Sequence, residues 1–265
     1  MTHVVVTGAS SGIGAALVAE FVRSGAAVTL VARRRAEMEA LTATLHGKTQ
    51  IFAVDLSDPA TALSFLEPAQ QAFGPVDVLI NNAGQQIVEP AEEHDPIALQ
   101  RMLSLNLTVP LLLTRAVLPA MLARGRGTIV DVASVAGLAP KPGMWGYNAS
   151  KGGLGAASES LRGELRGTGV HVVTVYPGPV DTPMARAGYA AYPNNAAMSL
   201  LPEGDADELA QLVRGAVELS RPRVIYPLSY ALIRYFPTIV RWFLDRMTPR
   251  PKSRLSAAAG DASHG

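Results

Sequence analysis

The chain has 265 residues, 48% of them hydrophobic and 17% charged, with a net charge of +1 and no cysteine. That length suits one large α/β domain or two small ones, and that composition supports a sizeable core rather than a disordered chain. Lack of cysteine excludes disulfides and thiolate chemistry, and the five histidines (His3, His46, His94, His171, His264) show no ligand spacing, so no metal site is expected.

The charge is unevenly spread. Residues 1–220 carry a balance of −5 and residues 221–255 one of +7, a clustering that suits an acidic partner surface for the C-terminal segment. The chain opens in an apolar strand, Thr2–Val6, with no signal peptide before it, and the expected location is cytoplasmic. The strand runs into Thr7-Gly8-Ala9-Ser10-Ser11-Gly12-Ile13-Gly14 and then the apolar run Ala15–Phe21. Strand, glycine-rich turn and helix in that order suit a dinucleotide: the glycines let the backbone approach a pyrophosphate, and the helix N-terminus favours its charge. The spacing, Gly-x-x-x-Gly-x-Gly, is one residue longer in its first gap than the usual fingerprint.

A second strand, Ala27–Ala32, ends in Arg33-Arg34-Arg35. A carboxylate at this strand end binds the ribose 2′-hydroxyl of NAD, whereas a cation accommodates the 2′-phosphate of NADP. Ala32 can do neither, and Arg33, then Arg34, are the candidates for the phosphate, the alternative being a solvated basic turn. The third strand, Ile51–Val54, leads to Asp55-Leu56; Asp55 either bonds an adenine amino group or caps the next helix. The fourth, Val76–Ile80, leads to Asn81-Asn82-Ala83-Gly84. Strands alternating with helices at this spacing predict a parallel, doubly wound sheet with its ligand at the carboxyl strand ends.

One long helix is predicted from about Leu99 to Ala123, with Asn106 in apolar company. A buried asparagine needs partners, either a held water or a neighbouring carbonyl. The fifth strand, Thr128–Val132, is followed directly by Ser134, and the sixth, Val170–Val175, by Tyr176-Pro177-Gly178-Pro179-Val180-Asp181-Thr182. Between them Tyr147 and Lys151 begin a small-residue-rich helical run reaching Leu161. At i and i+4 a phenol and an ammonium share one face. A cation near the phenol lowers its proton affinity, which would make Tyr147 a general acid/base; the plain alternative is a surface helix carrying a Tyr and a Lys.

These motifs together resemble the short-chain dehydrogenase/reductase family over about residues 3–220: Thr7–Gly14, Asn81–Gly84, Asn106, Ser134, Tyr147-x-x-x-Lys151 and Pro177-Gly178-x-Val180-x-Thr182 stand in its order and spacing. The resemblance implies a single Rossmann-type α/β domain, a doubly wound parallel sheet of about seven strands flanked by helices. It also implies a catalytic set of Asn106, Ser134, Tyr147 and Lys151: Tyr147 exchanging the proton, Lys151 lowering its pKa and holding the nicotinamide ribose, Ser134 orienting the substrate oxygen, and Asn106 positioning a water. NADP(H) would be lined by Gly8, Ser10, Ser11, Gly12, Ile13, Gly14, Arg33, Arg34, Asp55, Leu56, Asn82, Ala83, Gly84, Tyr147, Lys151, Pro177, Gly178, Val180 and Thr182.

In such a protein residues 183–203 would form a lid, here dominated by Met, Tyr, Ala and Leu. With Ser134, Met144, Trp145, Tyr147 and Met184 as substrate contacts, the lining suits a hydrophobic ketone or alcohol, a lipid, sphingoid, steroid or acyl chain. Relatives often form dimers or tetramers through helices around 99–123 and 147–166, and Gly152, Gly153, Gly155 and Ala156 suit either such an interface or packing on the sheet. A rival reading is an NADP-binding membrane-associated sensor or scaffold without turnover, against which the complete catalytic set counts.

Residues 228–248 are mostly apolar, with Arg234, Thr238, Arg241 and Asp245 on one narrow helical face and Pro237 as a kink. With the basic flank Arg250, Lys252 and Arg254, the segment fits an in-plane amphipathic helix on a membrane; packing on the domain, a subunit interface and a membrane span are the alternatives. The expected division is thus a catalytic domain over 1–220, a basic amphipathic extension over 221–255 and a disordered tail over 256–265.

Overall fold

The computed structural model describes residues 1–192, 202–249 and 251–252, without the side chains at positions 243, 244, 245 and 247. Seven strands form one all-parallel sheet: β1 (His3–Thr7), β2 (Ala27–Ala32), β3 (Thr49–Ala53), β4 (Val78–Asn81), β5 (Gly127–Val132), β6 (Val170–Pro177) and β7 (Arg223–Tyr226). Their order is β3-β2-β1-β4-β5-β6-β7, which reverses direction of growth between β1 and β4. That reversal opens the crevice at the carboxyl edge in which doubly wound sheets bind ligands.

The strands read as unbroken apolar runs because both faces are covered. Val4 and Val6 point to one side, with Leu30, Ile80, Val130 and Val173, under α1 (Gly12–Arg23) and α8 (Ala206–Glu218). Val5 points to the other, with Val31, Leu79, Ile129 and Val172, under α3 (Leu66–Phe73) and α5 (Val109–Arg124). Between α1 and α3 lies α2 (Arg35–Ala43), and α6 (Trp145–Glu164) and α7 (Pro183–Ala190) flank β6 in sequence.

Helix ends follow their local chemistry. Asp95 accepts from the amides of Ile97 and Ala98 at the start of α4 (Pro96–Leu103), with Pro96 in the first turn where its missing N–H costs nothing. Asp205 caps α8 through the amides of Asp207 and Glu208. Gly125, at φ 62°, closes α5 in the left-handed conformation.

Two differences from the sequence reading matter. The single helix expected over 99–123 begins earlier, at Pro96, and is interrupted by a π-helical turn at Ser104–Thr108. Such turns insert an extra residue into a helix and are common at functional sites; this one carries the fully buried Asn106. The seventh strand lies beyond residue 220, pairing Val224 with Val175 and Tyr226 with Pro177, so the sheet draws on residues assigned to the extension. Four residues with a Pro on each side give too short a run for hydrophobic periodicity to mark.

Beyond β7 the chain forms two helices, α9 (Ala231–Tyr235) and α10 (Pro237–Met247), broken at Phe236. At 5 and 11 residues neither reaches the roughly 20 needed to span a bilayer. Among the described residues, the helical stretch long and apolar enough for that is Pro96–Arg124, which is built into the domain.

Candidate active site

The carboxyl ends of the strands surround one cavity of about 570 Å³, lined from the glycine-rich turn at one end to Met184, Tyr189 and Tyr192 at the other. At the first end, Thr7 ties two strands together: its hydroxyl donates to the Ile80 carbonyl (3.1 Å) and accepts from the amides of Asn82 (3.0 Å) and Ala83 (3.1 Å). Asn82 in turn donates to the Thr7 carbonyl at 2.9 Å. Gly14 must be glycine, because a Cβ there would fall 2.1 Å from the Gly8 carbonyl oxygen.

The N-terminus of α1 has no side-chain cap and no acidic residue in its first turn. Its first residues, Gly12, Ile13 and Gly14, line the cavity. An uncapped helix N-terminus on a glycine turn fits a pyrophosphate, so the residues present suit a dinucleotide. Arg33 and Arg34 line the same end, and Arg34 donates to the hydroxyls of Ser10 (3.0 Å) and Ser11 (2.7 Å) while pairing with Glu37. Of the two arginines, the second in the sequence ranking is therefore the one clamped to the glycine-rich turn. Asp55 lines the cavity, but one carboxylate oxygen is engaged by the Ser57 amide (2.9 Å) and hydroxyl (2.8 Å), which hold its pKa below the usual range.

At the middle of the cavity, α6 brings Tyr147 and Lys151 to the end of β5, where Ser134 stands. All three are buried. The Ser134 hydroxyl accepts from the Ala136 amide at 3.1 Å, fixing it at the start of a short turn. Lys151 donates to the Val132 carbonyl at 2.7 Å. Burial pulls its pKa down to about 8, and the negative charge of Asp131 opposes that. Asp131 is itself buried and accepts from the Asn81 amide at 2.8 Å. The tyrosine departs from expectation: burial raises its pKa, opposed by the Ser134 hydroxyl, while the ammonium expected to lower it is turned to the Val132 carbonyl.

Asn106 sits behind this group rather than in the cavity wall. Its carbonyl accepts from the Gln85 amide and its NH₂ donates to the Gln85 carbonyl, both at 2.8 Å, with a further bond to the Ser150 hydroxyl at 3.1 Å. It clamps the loop after β4 onto α6. Gly84 makes the fit possible, since a Cβ there would lie 3.3 Å from the Lys151 nitrogen and 3.4 Å from the Asn106 oxygen.

Gly8, Ser10, Ser11, Leu56, Ala83, Pro177, Gly178, Val180, Thr182, Met144 and Met184 all line the cavity. Thr182 also caps α7, accepting from the Ala185 amide at 3.2 Å. Trp145 is not in the wall: it is half exposed and stacks on His94, donating to its Nδ1 at 2.9 Å. On a helix, position 145 points away from the face that carries 147 and 151. Sequence reasoning passed over Gln86, Lys141, Tyr189 and Tyr192. The two tyrosines fall in the segment expected as a lid, of which residues 193–201 lie outside the described residues; Lys141, between two prolines in a loop, has no periodic signal to find it.

The fold and site together define a nucleotide-binding α/β oxidoreductase. The short chain dehydrogenase family model matches residues 2–192, and the chain belongs to that family. A short chain dehydrogenase of Pseudocercospora fijiensis is 37% identical over 183 residues, 67% of this chain and 59% of the relative. A fatty acyl-CoA reductase of Mycobacterium tuberculosis is 38% identical over 191 residues, 69% of this chain and 64% of the relative. The chain thus spans just under two thirds of the length of both. Among solved structures, a 3-ketoacyl-(acyl-carrier-protein) reductase from Brucella melitensis complexed with NADH superposes with a TM-score of 0.75 at 27% identity, covering 85% of this chain and 96% of that one.

Proposed function

We propose that this chain is an NADP(H)-dependent oxidoreductase that interconverts a ketone and a secondary alcohol on a hydrophobic substrate. The observation that carries the reading is the convergence of Ser134, Tyr147 and Lys151 in one cavity with an uncapped, glycine-opened helix N-terminus. A nicotinamide dinucleotide bound there supplies or accepts the hydride. Tyr147 gives its proton to the substrate oxygen in reduction and takes it back in oxidation. Ser134 bonds the same oxygen and orients it. Lys151, whose charge Asp131 favours against the larger effect of burial, would hold the nicotinamide ribose, and Asn106 holds the loop and helix that set their spacing.

NADP rather than NAD is supported by two guanidinium groups at the end of β2 and by Ala32 where a ribose-binding carboxylate would stand. The Brucella relative was solved with NADH, so cofactor choice rests on these side chains. Met144, Met184, Tyr189 and Tyr192 favour a lipophilic substrate, in keeping with the acyl substrate named for the mycobacterial relative. Leu232, Tyr235, Phe236, Ile239 and Trp242 are each more than half exposed on α9, α10 and the break between them, supporting peripheral contact with a membrane. A homodimer or homotetramer through α5 and α6 would cover the partly exposed Leu111 and Leu122.

The test is NADPH oxidation against a panel of lipophilic ketones, with Tyr147→Phe as the comparison. Turnover in the variant is expected to fall by about 10²–10⁴. A variant as fast as wild type would remove the mechanism, and cofactor binding with no turnover of any ketone or alcohol would favour the sensor reading.

A further inference from the structure

Lys141 shares the cavity wall with Tyr147, Met144, Tyr189 and Tyr192, yet the proton and hydride chemistry gives it no part. Its backbone is held from three sides. Prolines at 140 and 142 restrict it, the Asn148 amide donates to its carbonyl at 2.9 Å, and the Tyr192 hydroxyl donates to the Pro142 carbonyl at 2.7 Å. The following Gly143 carbonyl accepts from the Glu89 amide at 3.0 Å. The side chain is thus set on a stiff loop between β5 and α6, tied to α6 at Asn148 and to the lid segment at Tyr192.

The side chain is partly buried, and a lysine drawn out of water in this way commonly has a carboxylate or other acceptors to offset its lost hydration. Among the described residues none bonds the Lys141 ammonium. Burial lowers its pKa with no opposing charge to restore it. The acidic group in the cavity wall, Asp55, stands at the far end beside Arg33 and is engaged by Ser57. Of the other cations of the wall, Lys151 bonds the Val132 carbonyl and Arg34 the two serines, while Arg33 stands at the far end beside Asp55.

We propose that Lys141 is a specificity-determining residue whose ammonium pairs with a carboxylate carried by the substrate, so that the preferred substrate is a lipophilic oxo acid or hydroxy acid rather than a neutral ketone. This rests on reading the cavity as a ketone-reducing site. One ammonium balances one negative charge, and a phosphate dianion in the same apolar surroundings would leave the second charge buried without a partner. The apolar wall of Met144 and Met184 takes the chain between the carboxylate and the carbonyl at Tyr147.

The experiment compares oxo fatty acids, with the ketone at different positions along the chain, against their methyl esters in wild type, Lys141→Met and Lys141→Arg. Wild type is expected to favour the acid by about tenfold or more in kcat/KM, the ratio falling toward one in Lys141→Met and partly kept in Lys141→Arg. An acid-to-ester ratio unchanged by Lys141→Met, or a wild type that favours the ester, overturns the proposal while leaving the oxidoreductase reading intact. If no ketone is turned over, calorimetric titration of dodecanoate and methyl dodecanoate into the cofactor-loaded proteins decides. Carboxylate binding lost in Lys141→Met supports the pairing, and binding that the substitution leaves alone, or none to wild type, overturns it.

Discussion

At the scale of single residues, Arg34 stands at the junction of two loops: it bonds Ser10 and Ser11 while pairing with Glu37 on its own helix. A guanidinium already held in place loses little freedom when a phosphate adds to it, which makes its fork more selective than a free lysine would be. Arg33 lines the same end beside Asp55. Arg33→Ala and Arg34→Ala are each expected to cut the preference for NADPH over NADH, measured as the ratio of KM values, by roughly tenfold or more. A preference that survives both substitutions would sink the NADP assignment. The residue scale also shows where chemistry-by-spacing stops. Tyr147 and Lys151 lie one turn apart on α6 as their i, i+4 spacing requires, but the spacing could not tell that the ammonium bonds the Val132 carbonyl or that burial dominates the phenol.

Among the elements, α9 is held by Glu159 of α6 and α10 by the carbonyl of Leu138. Its carboxylate accepts from Arg223 of β7 at 2.9 Å and from Arg234 of α9 at 3.0 Å, and the Tyr176 hydroxyl donates to it at 2.9 Å. Arg241 of α10 donates to the Leu138 carbonyl at 2.9 Å. The polar stripe is therefore tied to the domain, at Arg234 by a carboxylate and at the exposed Arg241 by a carbonyl. Burial pushes the Glu159 carboxyl up, but its bonds to Arg223, Tyr176 and Arg234 together outweigh that and hold its pKa at about 2, against an ordinary 4.5. A depressed carboxylate stabilises the fold fully above its ordinary value, and that stabilisation is lost as the pH falls from 4.5 to about 2. Glu159→Gln is expected to cost about 1–3 kcal/mol at pH 7 and much less near pH 2. Urea unfolding at both pH values measures this; an equal deficit at both would mean that charge is not what the side chain contributes. The small residues of α6 also find their use at this scale: Gly152 packs on Gly137, Gly153 on Leu107 and Gly155 on Tyr176, so they close the helix onto its own domain.

For the whole molecule, the anchoring of Arg234 and Arg241 to the domain leaves large apolar residues of the C-terminal pair outside. Leu228 is 79% exposed and Tyr235 73%, while Ile233 and Val240 pack beneath them on the cluster around Ala139 and Tyr176. Lys252, which donates to the Ala190 carbonyl, belongs to the same basic segment. An apolar face with basic flanks suits an anionic bilayer surface. Co-sedimentation with anionic vesicles is expected to fall by about tenfold when Leu232, Phe236 and Ile239 are all replaced by serine. Equal sedimentation of both proteins would remove the membrane proposal.

By itself the sequence showed the parallel sheet, the glycine-rich turn and the Tyr147–Lys151 pair, because each is written in local patterns: apolar runs, glycine spacing, and residues one helical turn apart; Ser134 joined the pair only through the family resemblance. Tertiary structure alone decided four other things. It placed Asn106 in a π-turn behind the site, gave Arg34 to the glycine-rich turn and turned Trp145 away to His94. It also brought Lys141 into the cavity wall. Each depends on contacts between segments far apart in the chain, and on which partner wins a buried donor or charge, which no periodicity encodes.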